Sequence, residues 1–196
     1  LDVYFSPAFY SIQRGKNIPQ VVLIHDLAVF DQPGSENPAF RMYLRKMIES
    51  SIRNAAIITT PSEFIRERIL HRFDIAPECI KAVHLGVDPC FGRYDDTRAE
   101  ELKTHYCLPN RFFLNVATVE PRKNLLNLLD GYSIYKRRSQ EPIPLVIIGK
   151  DGFDADIIHD RAQRSDLSTH VRFLGYVPES DMGQLYGLAH GLVFPS

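Results

Sequence analysis

The sequence predicts an α/β fold, with βαβ units arranged around parallel sheets in parts of two domains. Three observations predict it. Short β-branched runs alternate with helix-length amphipathic segments along most of the 196 residues. The alternation is interrupted once, by the turn-rich "PCFGRYDD" at 89–96, and then restarts. Finally, "IPLVIIG" at 143–149 is a nearly continuous apolar run, as expected of a strand covered on both faces.

Taken in order, "QVVLIHD" (20–26) and "AAIITT" (55–60) read as strands flanking a helical segment at 38–54. "TPSE" supplies the pieces of a capping box, with Thr60 as N-cap, Pro61 at the first helical position and Glu63 at the third. The helix it opens runs to about Phe73. "CIKAVHLGVD" (79–88) gives a further strand and a glycine turn, and 89–108 reads as a connection holding a short helix near 97–106. Beyond it comes a strand at 112–117, then a helix at 122–138 that repeats Leu125, Leu128, Leu129, Tyr132 and Tyr135 along one face. Strands at 171–174 and 191–194 and helices near 153–163 and 179–189 complete the expectation. The domain boundaries follow: 1–92, a linker region at 93–108, and 109–196.

A net charge of −1 excludes an overall basic field of the kind that draws nucleic acid, so any anion recognition must be local. Cys79, Cys90 and Cys107 fit neither a CxxC zinc pattern nor a disulfide framework, and a reducing cytoplasm is expected. No apolar run reaches membrane-spanning length, which leaves peripheral membrane contact open. The sequence begins at Leu1 without Met and stops at "GLVFPS", directly after a strand-like run, so a missing remainder is expected.

The chemistry concentrates in "VATVEPRKN" (116–124), where a buried strand ends and Arg122 and Lys123 open a helix. Cations at a helix N-terminus cost about 0.3–1 kcal/mol unless an anion joins them. One cation about 4 Å from one phosphate charge is worth roughly 4 kcal/mol at an effective dielectric near 20, so anion binding outweighs the local cost. The alternative is that both side chains bend to solvent or pair with Glu120. His25, at the end of the first apolar strand, can donate to a substrate hydroxyl or phosphate, with Asp26 fixing its tautomer or capping the next segment; the alternative is a satisfied loop histidine. His84 invites the same argument more weakly. "GKDG" (149–152) reads as a strand-to-helix turn and lacks P-loop framing. In "FLGYVPESD" (173–181), Tyr176 and Val177 follow Gly175 and are available to lie against a flat ring, or form a turn into a helix started by Ser180 or Asp181. No GxSxG elbow occurs, and the histidines show no metal-ligand spacing.

Together, "HDL", "TPSEF", "HLGVDPCF", "VATVEPRKN", "PLVIIGKDG", "VRFLGYVPESDMGQLYGLAH" and "VFPS" resemble, in order, the large family 4 of nucleotide-sugar-dependent glycosyltransferases with the GT-B architecture. The nearest flavour is the bacterial mannosyltransferase-like branch that builds lipopolysaccharide or other surface glycans. The resemblance implies two Rossmann-like domains facing a cleft, with the nucleotide-sugar donor held mainly by the C-terminal one. Lys123 matches the family's diphosphate-binding lysine, with Arg122 as helper, and His25 matches a cleft histidine facing the donor sugar. Tyr176 and Val177 fall where the nucleobase packs. The positions where many relatives carry a second basic residue are Ala117 and Thr118 here, which leaves Thr118 as a neutral donor contact. The family's Gly-rich loop would lie upstream of Leu1 and its Glu-x7-Glu motif beyond Ser196.

The implied activity is retaining transfer of a hexosyl group, with GDP-mannose as first donor and a glycan or lipid-linked acceptor. No metal or other cofactor is expected, nor nucleic acid. The implied location is the cytoplasm, including the inner face of the membrane. Two rivals stand beside it: a non-catalytic nucleotide-sugar or nucleotide binding module of the same architecture, and an unrelated flavodoxin-like interaction domain.

Overall fold

A computed structural model describes residues 2–8, 18–31, 38–92 and 94–196. The chain forms two compact units, Leu1–Gly86 and Val87–Ser196.

The first unit carries a four-stranded parallel sheet in the order β1 (Tyr4–Ser6), β2 (Gln20–Leu23), β3 (Ile57–Thr60), β4 (Ile80–Ala82). A short α1 (Ala28–Asp31) and the long α2 (Pro38–Asn54) lie between β2 and β3, and α3 (Glu63–Arg72) between β3 and β4. Val22, Ile24, Leu27, Phe30, Ile48, Ile52, Ile58, Ile69 and Ile80 form its buried core. The α2 helix matches its expected span. β2 is shorter than expected, ending at Leu23, so that His25 and Asp26 lie in the loop beyond it. β1 and α1 have no counterpart in the sequence reading.

The expected cap of α3 is corrected. Ser62, not Thr60, is the N-cap, its side chain accepting from the Ile65 amide at 3.3 Å. Thr60 is the last residue of β3, fully buried, and its hydroxyl donates to the Ser62 carbonyl. Strand pairing therefore claims Thr60 before the helix can, and the cap shifts two residues on.

After a 3-10 turn at Pro89–Gly92, the second unit continues with α4 (Asp96–His105), capped by Asp95, whose carboxylate accepts from the Thr97 and Arg98 amides. The segment read as a connection thus carries a helix that packs on α7 within this unit. Four parallel strands follow in the order β7, β6, β5, β8, with β5 at Phe113–Val116, β6 at Leu145–Ile148, β7 at Val171–Gly175 and β8 at Gly191–Leu192. Their connections hold α5 (Leu125–Arg138), α6 (Ala155–Ala162) and α7 (Glu179–Leu188).

β6 is buried at all four residues, as its apolar run requires. Alternate side chains serve opposite faces. Leu145 and Ile147 pack with Leu125, Leu129, Tyr132 and Ile158, whereas Val146 and Ile148 pack with Phe112, Leu114 and Leu185.

Two helix starts differ from expectation. The helix expected at 122–138 is split: a 3-10 turn, Pro121–Lys123, ends at Asn124 in the left-handed conformation (φ 59°, ψ 27°), and α5 begins at Leu125. α7 starts after Pro178 with no side-chain cap, not through Ser180 or Asp181. Asp181 is occupied elsewhere: its carboxylate accepts from Arg98 and from the Tyr106 hydroxyl, each at 2.8 Å. Burial opposes ionisation of Asp181, but these hydrogen bonds outweigh it and hold the carboxyl below its ordinary value. Burial in turn pushes the Tyr106 hydroxyl up to about 12, with the bond to Asp181 adding to the effect.

Candidate functional site

In parallel sheets of this kind, ligands bind beyond the carboxyl ends of the strands. In the second unit three loops meet there. The loop after β5 is sewn to the loop after β6 by Ala117 N–H to Ile148 O (2.9 Å), Val119 N–H to Lys150 O (3.0 Å) and Gly152 N–H to Val119 O (3.0 Å). Gly149 N–H reaches the Gly175 carbonyl at 2.9 Å and joins the loop after β7.

Gly149 has to be glycine. Its φ is +151°, and a Cβ there would collide with the Ala117 carbonyl. Gly152 is crowded by the Thr118 methyl and the Glu120 side chain. "GKDG" therefore works as the strand-to-helix turn read from sequence, and its glycines allow the close approach of the "VATVE" loop.

Lys123 sits on this edge, half-buried, at the end of the 3-10 turn. Its amide bonds to Glu120 O at 3.0 Å, and the Asn124 amide to Pro121 O at 2.9 Å. Its ammonium has no hydrogen-bond or ion-pair partner among the described residues. The turn leads directly into α5, whose N-terminus has no side-chain cap. The unpaired first-turn amides that sequence reading assigned to residues 122–124 therefore belong to the start of α5 at Leu125. A cation with no partner among the described residues, followed by an uncapped helix start, is the electrostatic arrangement an anion completes.

Arg122 takes the other path weighed for it. Its guanidinium donates to Glu120 Oε1 through Nη2 at 2.8 Å and Nε at 3.1 Å. The pair is self-neutralising, so Lys123 alone supplies a free positive charge in this turn. Thr118 is half-buried, with its methyl turned toward Gly152.

Tyr176 follows Gly175 (φ +70°) and is 74% exposed, an aromatic face offered to solvent at the same edge. Val177 is a correction. It is buried under α7 with Leu185 and Phe112, so its side chain is core and not a platform.

In the first unit, His25 is half-buried and its Nε2 lies 3.1 Å from the Pro7 carbonyl, which makes Nε2 the protonated nitrogen in that contact. Asp26 caps the next segment, its carboxylate accepting from the Ala28 amide at 2.9 Å. His84 is exposed beyond β4. Of the cysteines, Cys79 and Cys107 are free thiols, and the side chain of Cys90 lies outside the described part.

Two residues at the edge escaped sequence reading. Asn124 sends Nδ2 to the Pro195 carbonyl at 3.1 Å, and Asn115 in β5 sends Nδ2 to the Val193 carbonyl at 2.7 Å. At 124 the readable signal was the asparagine itself, a residue enriched where a turn needs left-handed backbone.

Two parallel α/β units, the second with a cationic turn crowning its central strands, define the GT-B class of fold. Solved structures agree: HepE of Anabaena in complex with UDP-glucose superposes with a TM-score of 0.72 at 18% identity, over 91% of this chain and 47% of that one. Sucrose-phosphate synthase of Thermosynechococcus elongatus gives 0.70 at 21% identity, over 92% and 45%. Residues 3–91 match the family described as Glycosyltransferase Family 4, and residues 104–196 match Glycosyl transferases group 1. O-antigen chain mannosyltransferase B of Escherichia coli is 29% identical over 99% of this chain and 51% of its own length. The serotype-specific mannosyltransferase WbdA of Escherichia coli is 30% identical over 82% of this chain and 20% of its own length. The chain belongs to the glycosyltransferases, with residues 3–91 matching family 4, and it is similar to bacterial mannosyltransferases. It spans about half, or less, of the length of these curated relatives.

Proposed function

We propose that the protein carrying this chain is a retaining hexosyltransferase, moving a mannosyl group from a nucleoside-diphosphate sugar to a hydroxyl of a glycan or lipid-linked acceptor. The observation that carries the reading is Lys123, partnerless among the described residues, at the mouth of an uncapped helix on the carboxyl edge of the sheet. The names of its mannosyltransferase relatives support the sugar, and GDP-mannose is the donor to try first.

The bond that breaks joins the anomeric carbon to the β-phosphate oxygen, and its electron pair stays on that oxygen. Lys123 and the first amides of α5 lower the barrier by meeting this negative charge as it develops. The acceptor oxygen bonds to the anomeric carbon on the same face, and its proton passes to the departing phosphate, so configuration is retained. Lys123 supplies the charge a metal would otherwise supply, so transfer is expected to persist in chelator. Tyr176 packs on the base, with Thr118 lining the approach. Arg122 assists only when it leaves Glu120. His25 orients the sugar. No helix among the described residues is long and apolar enough to cross a membrane, and work at the inner membrane face would be peripheral.

The non-catalytic binding module is favoured by one observation, the loss of Arg122 to Glu120, which leaves a single side-chain cation. Transfer assays with GDP-mannose on the full-length protein decide between the two. Lys123→Ala should lower the rate at least about a hundredfold, the scale of removing one preorganised charge donor. Unchanged turnover in that variant removes the proposed role of Lys123, and the absence of any glycosylated product favours the binding module.

A further inference from the structure

We propose that Asn124 is a positioning residue that aims Lys123 at the diphosphate by latching its turn to the chain leaving β8. The inference rests on the donor-binding reading of Lys123.

Asn124 occupies the left-handed hinge between the Lys123 turn and α5, a conformation glycine would adopt with less strain. It stands at the N-cap position of α5, yet its side chain does not cap the helix. Both ends of its amide are committed elsewhere. Nδ2 donates to the Pro195 carbonyl at 3.1 Å, and Oδ1 accepts from Asn127 Nδ2 at 2.6 Å. A carbonyl can only accept, so the nitrogen must face Pro195 and the oxygen is left for Asn127.

The partner strand exit is held from its other side. Asn115, 1% exposed, donates to the Val193 carbonyl, whose amide in turn reaches Leu114 O at 2.8 Å. The chain leaving β8 is therefore held at Val193, two residues before the carbonyl that Asn124 reaches. Glycine at 124 would supply the same backbone angle and no tie to that carbonyl. With the Lys123 and Asn124 amides bonded back into the 3-10 turn, the latch fixes the direction in which a long lysine, partnerless among the described residues, leaves the backbone. Asn124 touches no reacting atom and acts through Lys123.

The ratio of nucleoside monophosphate to diphosphate dissociation constants isolates the grip on the second phosphate. It is measured by calorimetry on the full-length protein with GDP and GMP, and with UDP and UMP. Asn124→Gly keeps the hinge and removes both side-chain bonds. It is expected to leave monophosphate affinity within about twofold and to lower the ratio at least about fivefold, the worth of one net hydrogen bond, toward the value of Lys123→Ala. Asn127→Ala, at an exposed helical position, frees one end of the amide and should lower the ratio by a smaller factor; it decides the matter if Asn124→Gly fails to fold. A wild-type ratio in these variants, while Lys123→Ala lowers it, overturns the latch and spares the donor reading. A parallel loss of monophosphate and diphosphate affinity marks Asn124 as merely structural and also overturns the latch. If Lys123→Ala leaves the ratio unchanged, the donor reading falls and the latch with it.

Discussion

At the scale of single residues, charge bookkeeping separates neighbours that the sequence presents as equals. Arg122 and Lys123 are adjacent cations, yet a carboxylate two residues upstream captures the guanidinium. The planar fork of arginine matches a nearby carboxylate, whereas the point charge of lysine carries no such preference. The free charge is thus Lys123. Tyr176 and Val177 divide in the same way, one exposed and one buried. Base stacking on an aromatic ring is worth about 1–3 kcal/mol, so Tyr176→Ala should weaken nucleotide binding by roughly 5- to 150-fold, read by calorimetry. An unchanged affinity would place the base elsewhere.

At the scale of elements, the long and continuous patterns were legible. The apolar run at 143–149 gave β6, the heptad-like leucines gave α5, and α2 appeared where composition put it. Two short elements, β1 and α1, were not. Tyr4–Ser6 has three residues, too few to show a period of two, and becomes a strand only by pairing with β2. The cap of α3 and the start of α5 moved because a strand pair claimed Thr60 and a left-handed residue interrupted the helix at Asn124. The candidate site was legible as an edge, through Lys123 and the strand ends. The Arg122–Glu120 pairing was legible only as an alternative, since side-chain direction is decided by tertiary packing. Glycine placement makes an element-level prediction. Gly149→Ala meets both a positive φ and the Ala117 carbonyl, and should destabilise the protein by more than about 2 kcal/mol in urea unfolding. A variant within about 0.5 kcal/mol of the parent would show that the two loops can part.

At the scale of the whole molecule, two units each carry a parallel sheet, and the second holds two carboxylates below their ordinary value. Asp166 is held below its ordinary carboxyl value by hydrogen bonds from Ser133 and Arg161, and Asp181 by those from Arg98 and Tyr106 against the opposing effect of burial. A depressed folded pKa means that the stabilisation is fully present above the ordinary value of 3.8 and is lost as pH falls through the lower folded value. Asp181→Asn should therefore be less stable than the parent near neutrality, with the gap narrowing as pH drops below 3.8, followed by urea midpoints across the range. A gap that stays constant with pH would mean that the clasp between α4 and α7 does not depend on ionised Asp181.

The central claim is that Lys123 holds the pyrophosphate of a nucleotide sugar, and a crystal structure of the full-length protein with GDP bound tests it most directly. The account predicts Lys123 Nζ within about 2.7–3.2 Å of a β-phosphate oxygen, with the phosphates over the start of α5. A diphosphate bound away from the Pro121–Lys123 turn, or a Lys123 side chain directed away from it, would contradict the account.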